Sequence, residues 1–131
     1  MKALLGAVVL GMSLLAGTTA CGSSAATCET ASKAMLDTIA RGAKTDGFTV
    51  TAGKTLKSKD NDGVYAIAAK TKTAQGGEKV GVWSTSNIGG EGAVYAVDTV
   101  AKDTTSFGDS AQVDGAVKSG ESTVADVKAC L

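Results

Sequence analysis

The first 21 residues most constrain what this chain can fold into, because they indicate an export signal, which is removed and takes no part in the fold. Met1 and Lys2 are followed by an apolar run over 3–16 and by small residues that end at Cys21. A charged start, a short apolar run and a small-residue end are typical of an export signal. The apolar run of about 14 residues is shorter than the roughly 20 that a membrane-spanning helix needs. We therefore expect one exported domain of about 110 residues.

Ala20 and Cys21, followed by the small-residue stretch 22–26, resemble the lipobox of bacterial lipoproteins. In that family the cysteine is diacylated on sulfur, the signal is cut just before it, and the lipid holds the protein to a membrane. The resemblance implies a signal peptide over 1–20, a lipidated cysteine and flexible tether over 21–27, and a domain over 28–131 at the outer face of the cell membrane. Thr18 departs from the family pattern, which usually has leucine three residues before the cysteine.

The same segment also fits an ordinary secretory signal that is cut after Ala26. Ser24 and Ala26 supply the small residues for that cleavage, and Thr27 becomes the new start. The protein is then freely secreted, and the candidate functions are an enzyme inhibitor or a small hydrolase.

Three cysteines leave one odd thiol in an exported protein. A lipid on Cys21, which the resemblance implies, accounts for that thiol and leaves Cys28 and Cys130 to form a disulfide in an oxidising compartment. The bridge joins the two ends of a domain in which large apolar residues are sparse beside alanine, glycine and threonine. We therefore expect the disulfide to be important for stability.

The hydrophobic periodicity predicts an α+β domain with an N-terminal helix, a three- to four-stranded antiparallel meander and a short C-terminal helix. The first helix is predicted over 28–43 with Thr27 as N-cap, and the last over 123–130 with Ser122 as cap. Strands are predicted around Phe48–Lys57, after the turn at Gly63, and over 78–86. Residues 93–101 suit a strand or a helix, and we favour a fourth strand that leaves the sheet near Asp98. Residues 102–120 are predicted as a long loop or a short helical turn.

A two-residue loop at Asp62-Gly63 would set the register of the first hairpin, with Leu56 facing Ala69. Leu56 would then share a side of the sheet with Phe48, Val50, Tyr65 and Ile67. The opposite side would carry a basic patch, either a solvated face or a weak site for an anionic ligand, made of Lys57, Lys59, Lys70 and Lys72.

Two further features are weak candidates for binding. Trp83 lies on the opposite side of the third strand from Val80 and Val82, as a core residue or as an exposed anchor. The loop over 87–92, with Asn87, Gly89 and Gly90, lacks the order of a phosphate-binding motif and indicates a hairpin connection.

The chemistry that the chain can support is narrow. It has no histidine, which excludes Ser-His-Asp and Cys-His catalysis and histidine metal sites. Acidic and basic residues number 13 each, without the dense basic stripe of a nucleic-acid binder.

We predict that the protein is a non-catalytic binding module with no cofactor and no metal. It is expected to contact a membrane through its lipid and to bind an unknown protein or cell-wall partner. A phage-type lipoprotein that blocks superinfection is a specific version of this class.

Overall fold

The computed structural model describes residues 27–131. The predicted signal peptide, Cys21 and residues 22–26 of the tether lie outside the described residues. Within residues 27–131 the chain forms six strands, three α-helices and one 3-10 turn. In chain order these are β1 (Glu29–Thr30), α1 (Lys33–Arg41), β2 (Thr49–Lys57), β3 (Tyr65–Lys72), β4 (Glu78–Thr85), β5 (Val94–Ala96), α2 (Thr99–Thr104), β6 (Gly108–Asp109), the 3-10 turn (Ser110–Gln112) and α3 (Ser122–Ala129).

The strands form a single sheet in the order β1-β2-β3-β4-β5-β6. The predicted antiparallel meander corresponds to β2–β5. Two edge strands of two residues each extend it: β1 is antiparallel to β2, and β6 is parallel to β5. The prediction of three to four strands, all antiparallel, is therefore wrong in strand number and in the last pairing. Strands of two residues are too short to leave an alternating pattern in the sequence.

Helices cover both faces of the sheet, which gives the domain three layers. On the side that we call the α1 face, Met35 and Ile39 of α1 pack in one cluster with Ile67 and Trp83. On the opposite side, the α3 face, a second cluster joins α3 to the sheet and consists of Leu56, Ala66, Ala68, Val82, Val97, Val117, Val124 and Val127. The small side chains of Ala66 and Ala68 in β3 let α3 approach this strand closely, whereas α1 lies mainly over β2.

The first helix begins later than predicted, and it ends at Arg41, two residues before the end of the predicted range 28–43. Ser32 is its N-cap, because the Ser32 side chain accepts a hydrogen bond from the backbone N–H of Met35 at 3.1 Å. Gly42 is the C-cap. The helix does not reach Cys28 because Glu29 and Thr30 pair instead with β2 as the edge strand.

The register of the first hairpin differs from the prediction. Leu56 lies opposite Ala66 instead of Ala69, and it therefore packs on the α3 face, whereas Val50 packs on the α1 face. A bulge between Val50 and Ala52 inserts one residue and reverses the side on which later residues of β2 lie. The connection is also longer than two residues, because the Ser58 hydroxyl accepts hydrogen bonds from the backbone N–H groups of Asp60 and Asn61, both at 3.2 Å.

Residues 93–101 combine both predicted structures. β5 ends at Ala96, close to the predicted departure from the sheet near Asp98, and α2 runs from Thr99 to Thr104, into the segment predicted as a loop or a short helical turn. One carboxylate oxygen of Asp98 accepts hydrogen bonds from the N–H groups of Ala101 at 2.9 Å and Val82 at 3.1 Å. The same side chain caps α2 and fixes it to β4.

Cys28 and Cys130 form the predicted disulfide, with their Cα atoms 6.4 Å apart. Cys28 immediately precedes β1 and is not part of a helix, so the bridge joins the edge strand to the end of α3 instead of joining two helices. The last helix begins one residue earlier than predicted, at Ser122, with Glu121 in the N-cap position.

Candidate functional site

Trp83 is a core residue. The alternative interpretation, in which it is an exposed anchor for a partner, is wrong. Its side chain has no exposed surface and packs on the α1 face. The indole Nε1–H donates a hydrogen bond of 3.0 Å to the Thr105 hydroxyl, which itself donates to the carbonyl of Ala101 at 2.6 Å. The polar atom of the largest buried side chain is thereby satisfied inside the core.

The loop over 87–92 lies at the surface beside α1 and is held there by hydrogen bonds. Thr38 of α1 donates to the carbonyl of Gly90 at 2.9 Å, and Ser32 donates to the carbonyl of Ile88 at 3.3 Å. Within the loop, the Asn87 side chain accepts from the N–H of Gly89 at 2.8 Å. Asn87 and Gly89 are exposed, so the loop presents a fixed surface to solvent.

Gly90 has a different role from its two neighbours in this loop. Its φ is +92°, and a Cβ at this position would lie 2.8 Å from the carbonyl oxygen of Ala34 in α1. Only glycine allows both this backbone conformation and this close approach. Of the three predicted loop residues, Asn87 and Gly89 can meet a partner, and Gly90 holds the loop against the helix.

The predicted basic patch does not form as one cluster. Lys57 lies opposite Tyr65 and therefore on the α1 face, whereas Lys70 and Lys72 lie on the α3 face. Lys59 belongs to the β2–β3 connection and forms an ion pair of 2.7 Å with Asp126 of α3. Lys54, which was not predicted, joins Lys70 and Lys72 on the α3 face, because the bulge in β2 changes the side on which its residues lie.

A cleft of about 180 Å³ opens on the α3 face between the end of the sheet and the segment over 113–116. Ser84 and Tyr95 line it from β4 and β5, and Val113 and Asp114 line it from the facing segment. The sequence did not predict this cleft, because its two walls are far apart along the chain. Patterns of neighbouring residues do not indicate which distant segments come together.

The wall over 113–116 is held in place by Lys118. The ammonium of Lys118 donates to the carbonyls of Ser110 at 3.0 Å and Ala116 at 3.2 Å, and also to that of Val113. The backbone N–H of Val117 donates to the Ser84 hydroxyl at 3.0 Å. The Lys118 ammonium thus fixes the fold of this segment, and the hydrogen bond from Val117 attaches the segment to β4.

A second cleft, also of about 180 Å³, lies where the described chain begins. It is lined by Thr27, Glu29, Thr55, Lys57 and Tyr65. One carboxylate and one ammonium face this cleft, while Asp114 is the carboxylate that lines the first cleft. Paired carboxylates of the kind that glycosidases use are thus not found among the described residues that line either cleft.

One carboxyl group has a shifted pKa. The backbone N–H of Ala111 donates to Asp109 at 2.8 Å, and Lys102 lies 3.2 Å from the same carboxylate oxygen. The hydrogen bond is the larger cause and the lysine the next, and together they hold the pKa of Asp109 below its ordinary value. The group joins the end of α2 to β6 and lines neither of the two clefts.

None of the helices within residues 27–131 is long and apolar enough to cross a bilayer. The same residues contain no group of three or more histidine, cysteine, aspartate or glutamate side chains arranged to hold a metal ion.

Comparisons of the chain with protein families, with curated proteins and with solved structures found no match.

Proposed function

We propose that this chain is an exported protein that is anchored to the cell envelope through a lipid on Cys21 and acts there as a non-catalytic binding module. The observation that carries the proposal is the disulfide. Because Cys28 and Cys130 are bonded to each other, they account for two of the three cysteines. The remaining one, Cys21, lies at the end of the export signal and six residues before the first described residue. A thiol at that place fits acylation better than a further disulfide.

The binding role is supported by the loop over 87–92. Its exposed residues are fixed by hydrogen bonds to α1, so a partner would not have to order a flexible segment on binding. Such preorganisation lowers the entropic cost of association. The clefts are smaller than the roughly 300 Å³ at which small-molecule sites begin, which favours a macromolecular partner.

The anchor is tested by the intact mass of the protein recovered from membranes and from the medium, with and without reduction. We expect a membrane-bound species that starts at a diacylated Cys21 and gains two hydrogens on reduction. Cys21→Ala should abolish the acylated species, and the double variant Cys28→Ser/Cys130→Ser is the matched control that should keep it. A parent protein found only in the medium and starting near Thr27 would refute the anchor.

The binding surface is tested by photo-crosslinking in intact cells. A photoreactive amino acid replaces Glu91 in the loop, and in the control it replaces Glu78 at the far hairpin; both positions are exposed. We expect a discrete crosslinked product from position 91 and none from position 78. Equal crosslinking at the two positions would contradict a binding role for the loop.

A further inference from the structure

The helix α3 leaves part of its sheet face uncovered, and this part is basic. α3 packs over the end of the sheet that carries Leu56 and Ala66. Beyond the helix, β2 and β3 present three lysines that are exposed or half-buried, and we call them the basic face: Lys54, Lys70 and Lys72. Ala52 of β2 and Val80 of β4 lie on either side of Lys70.

The three lysines of the basic face are neighbours in the sheet, and their charges are not neutralised by ion pairs among the described residues. Lys54 lies opposite Ala68 and is thus a diagonal neighbour of Lys70, with about 7–8 Å between their Cα atoms. Among residues 27–131, the ion pairs all use other lysines. Lys54 donates to the neutral hydroxyl of Thr30 at 3.1 Å. Glu78 is opposite Lys72 and leaves a net positive charge on this surface.

The proposed anchor joins the domain at the edge strand, within reach of the basic face. Thr30 of this strand pairs with Lys54, and three residues earlier Thr27 lines a cleft with Lys57. Lys54 is three residues from Lys57 along β2, which is about 10 Å. From Cys21 to Thr27 the chain can span at most about 20 Å, given about 3.3–3.6 Å for each extended residue. A lipid on Cys21 and the lysines of the basic face can therefore reach one flat surface at the same time.

We propose that the basic face lies on an anionic phospholipid surface and orients the anchored domain; this inference rests on the proposed lipid anchor. Lysines near such a surface are attracted by its negative potential, and the attraction ends within a Debye length. The apolar side chains of Ala52 and Val80 flank Lys70 and add no charge to this surface. In this orientation α1 and the loop over 87–92, on the other side of the sheet, point away from the membrane and toward a partner.

The orientation is tested on the lipidated protein, purified from membranes and reconstituted into vesicles. One set of vesicles contains phosphatidylcholine alone, and the other contains phosphatidylcholine and phosphatidylglycerol in equal parts. A water-soluble amine reagent labels exposed lysines, and mass spectrometry measures the rate at each one. We expect Lys70 and Lys72 to react several-fold more slowly on the anionic vesicles, and Lys33 and Lys44 to react equally on both. In about 1 M salt, where the Debye length is about 3 Å, the protection should disappear.

Variants distinguish the basic face from the anchor. The triple variant Lys54→Gln/Lys70→Gln/Lys72→Gln removes the basic face, and the matched control removes three exposed lysines elsewhere: Lys33, Lys44 and Lys57. If the protein carries no lipid, the secreted form is sedimented with the same vesicles. Binding should then fall by about tenfold or more in the first variant and by less than about twofold in the control.

The outcomes are distinct. Equal labelling of Lys72 and Lys33 on anionic vesicles would overturn the orientation and leave the anchor in place. A secreted form without lipid that fails to sediment with anionic vesicles would overturn both. Without lipid, salt-sensitive sedimentation that is lost in the basic-face variant would support the membrane contact and refute the anchor alone. Binding to a soluble anionic polymer but not to vesicles would overturn the membrane as the partner.

Discussion

The buried hydrogen bond between Trp83 and Thr105 can be removed by one substitution, and the resulting loss of stability can be measured. Thr105→Val keeps the shape of the side chain and suits the extended backbone at this position, where φ is −128° and ψ is 157°. The indole N–H then has no acceptor in a site with no exposed surface. The carbonyl of Ala101 keeps a partner, because the backbone N–H of Thr105 donates to it at 3.0 Å. The loss is therefore confined to one buried donor.

An unsatisfied buried donor costs about 1–3 kcal/mol, so we expect Thr105→Val to lower the free energy of unfolding by about 2 kcal/mol. In a domain of this size that corresponds to a fall in Tm of roughly 10 °C. The assay is urea and thermal unfolding followed by circular dichroism. Because Trp83 is the only tryptophan in the chain, its fluorescence also reports the change at this site. Thr99→Val, at an exposed position in α2, is the control and should change stability by less than about 0.5 kcal/mol.

A double-mutant cycle separates the hydrogen bond from packing. In the Trp83→Phe background no indole N–H remains, so Thr105→Val should cost at least about 1 kcal/mol less than in the parent. The reasoning would be refuted if Thr105→Val had the same cost in both backgrounds, or if it left the parent's stability unchanged.

Three further predictions concern the fold. The variant Cys28→Ser/Cys130→Ser should lose about 2–5 kcal/mol in urea unfolding, because the bridge constrains a long loop of the unfolded chain, and the reduced parent should match it. Asp109 has a lowered pKa, so its contribution to stability is fully present above its ordinary pKa of 3.8 and is lost as the pH falls through the lower folded-state value. Asp109→Asn should therefore weaken the fall of Tm with acidification below that pH, and an unchanged slope would count against this account. Gly90→Ala, at φ +92° and against the backbone of α1, should cost about 1–3 kcal/mol in thermal unfolding, whereas Gly77→Ala, which meets nothing within 4 Å, should cost clearly less.

The candidate site could be predicted from the sequence only in part. The glycine-rich loop was found because its composition marks an exposed turn, and Asn87 and Gly89 are indeed exposed there. Trp83 was open to two interpretations, because alternation along β4 shows that its side chain opposes that of Val82 but does not show whether a helix covers it. The cleft beside Tyr95 and the basic face depend on contacts between distant segments, and no local pattern indicated them.

By itself, the sequence determined the alternation along β3 and β4, the existence of α1, the departure of the chain from the sheet near Asp98 and the pairing of Cys28 with Cys130. These features depend on near neighbours or, for the disulfide, on the small number of cysteines. Only the tertiary structure decided the register and the covering of the faces. One bulged residue in β2 reverses the side on which every later residue of that strand lies. Whether this register is stable depends on the residues that β2 then meets in β1, β3 and α3. The same reversal separates Lys57 from Lys70 and brings Lys54 to the basic face, because side chains in a strand alternate with a period of two.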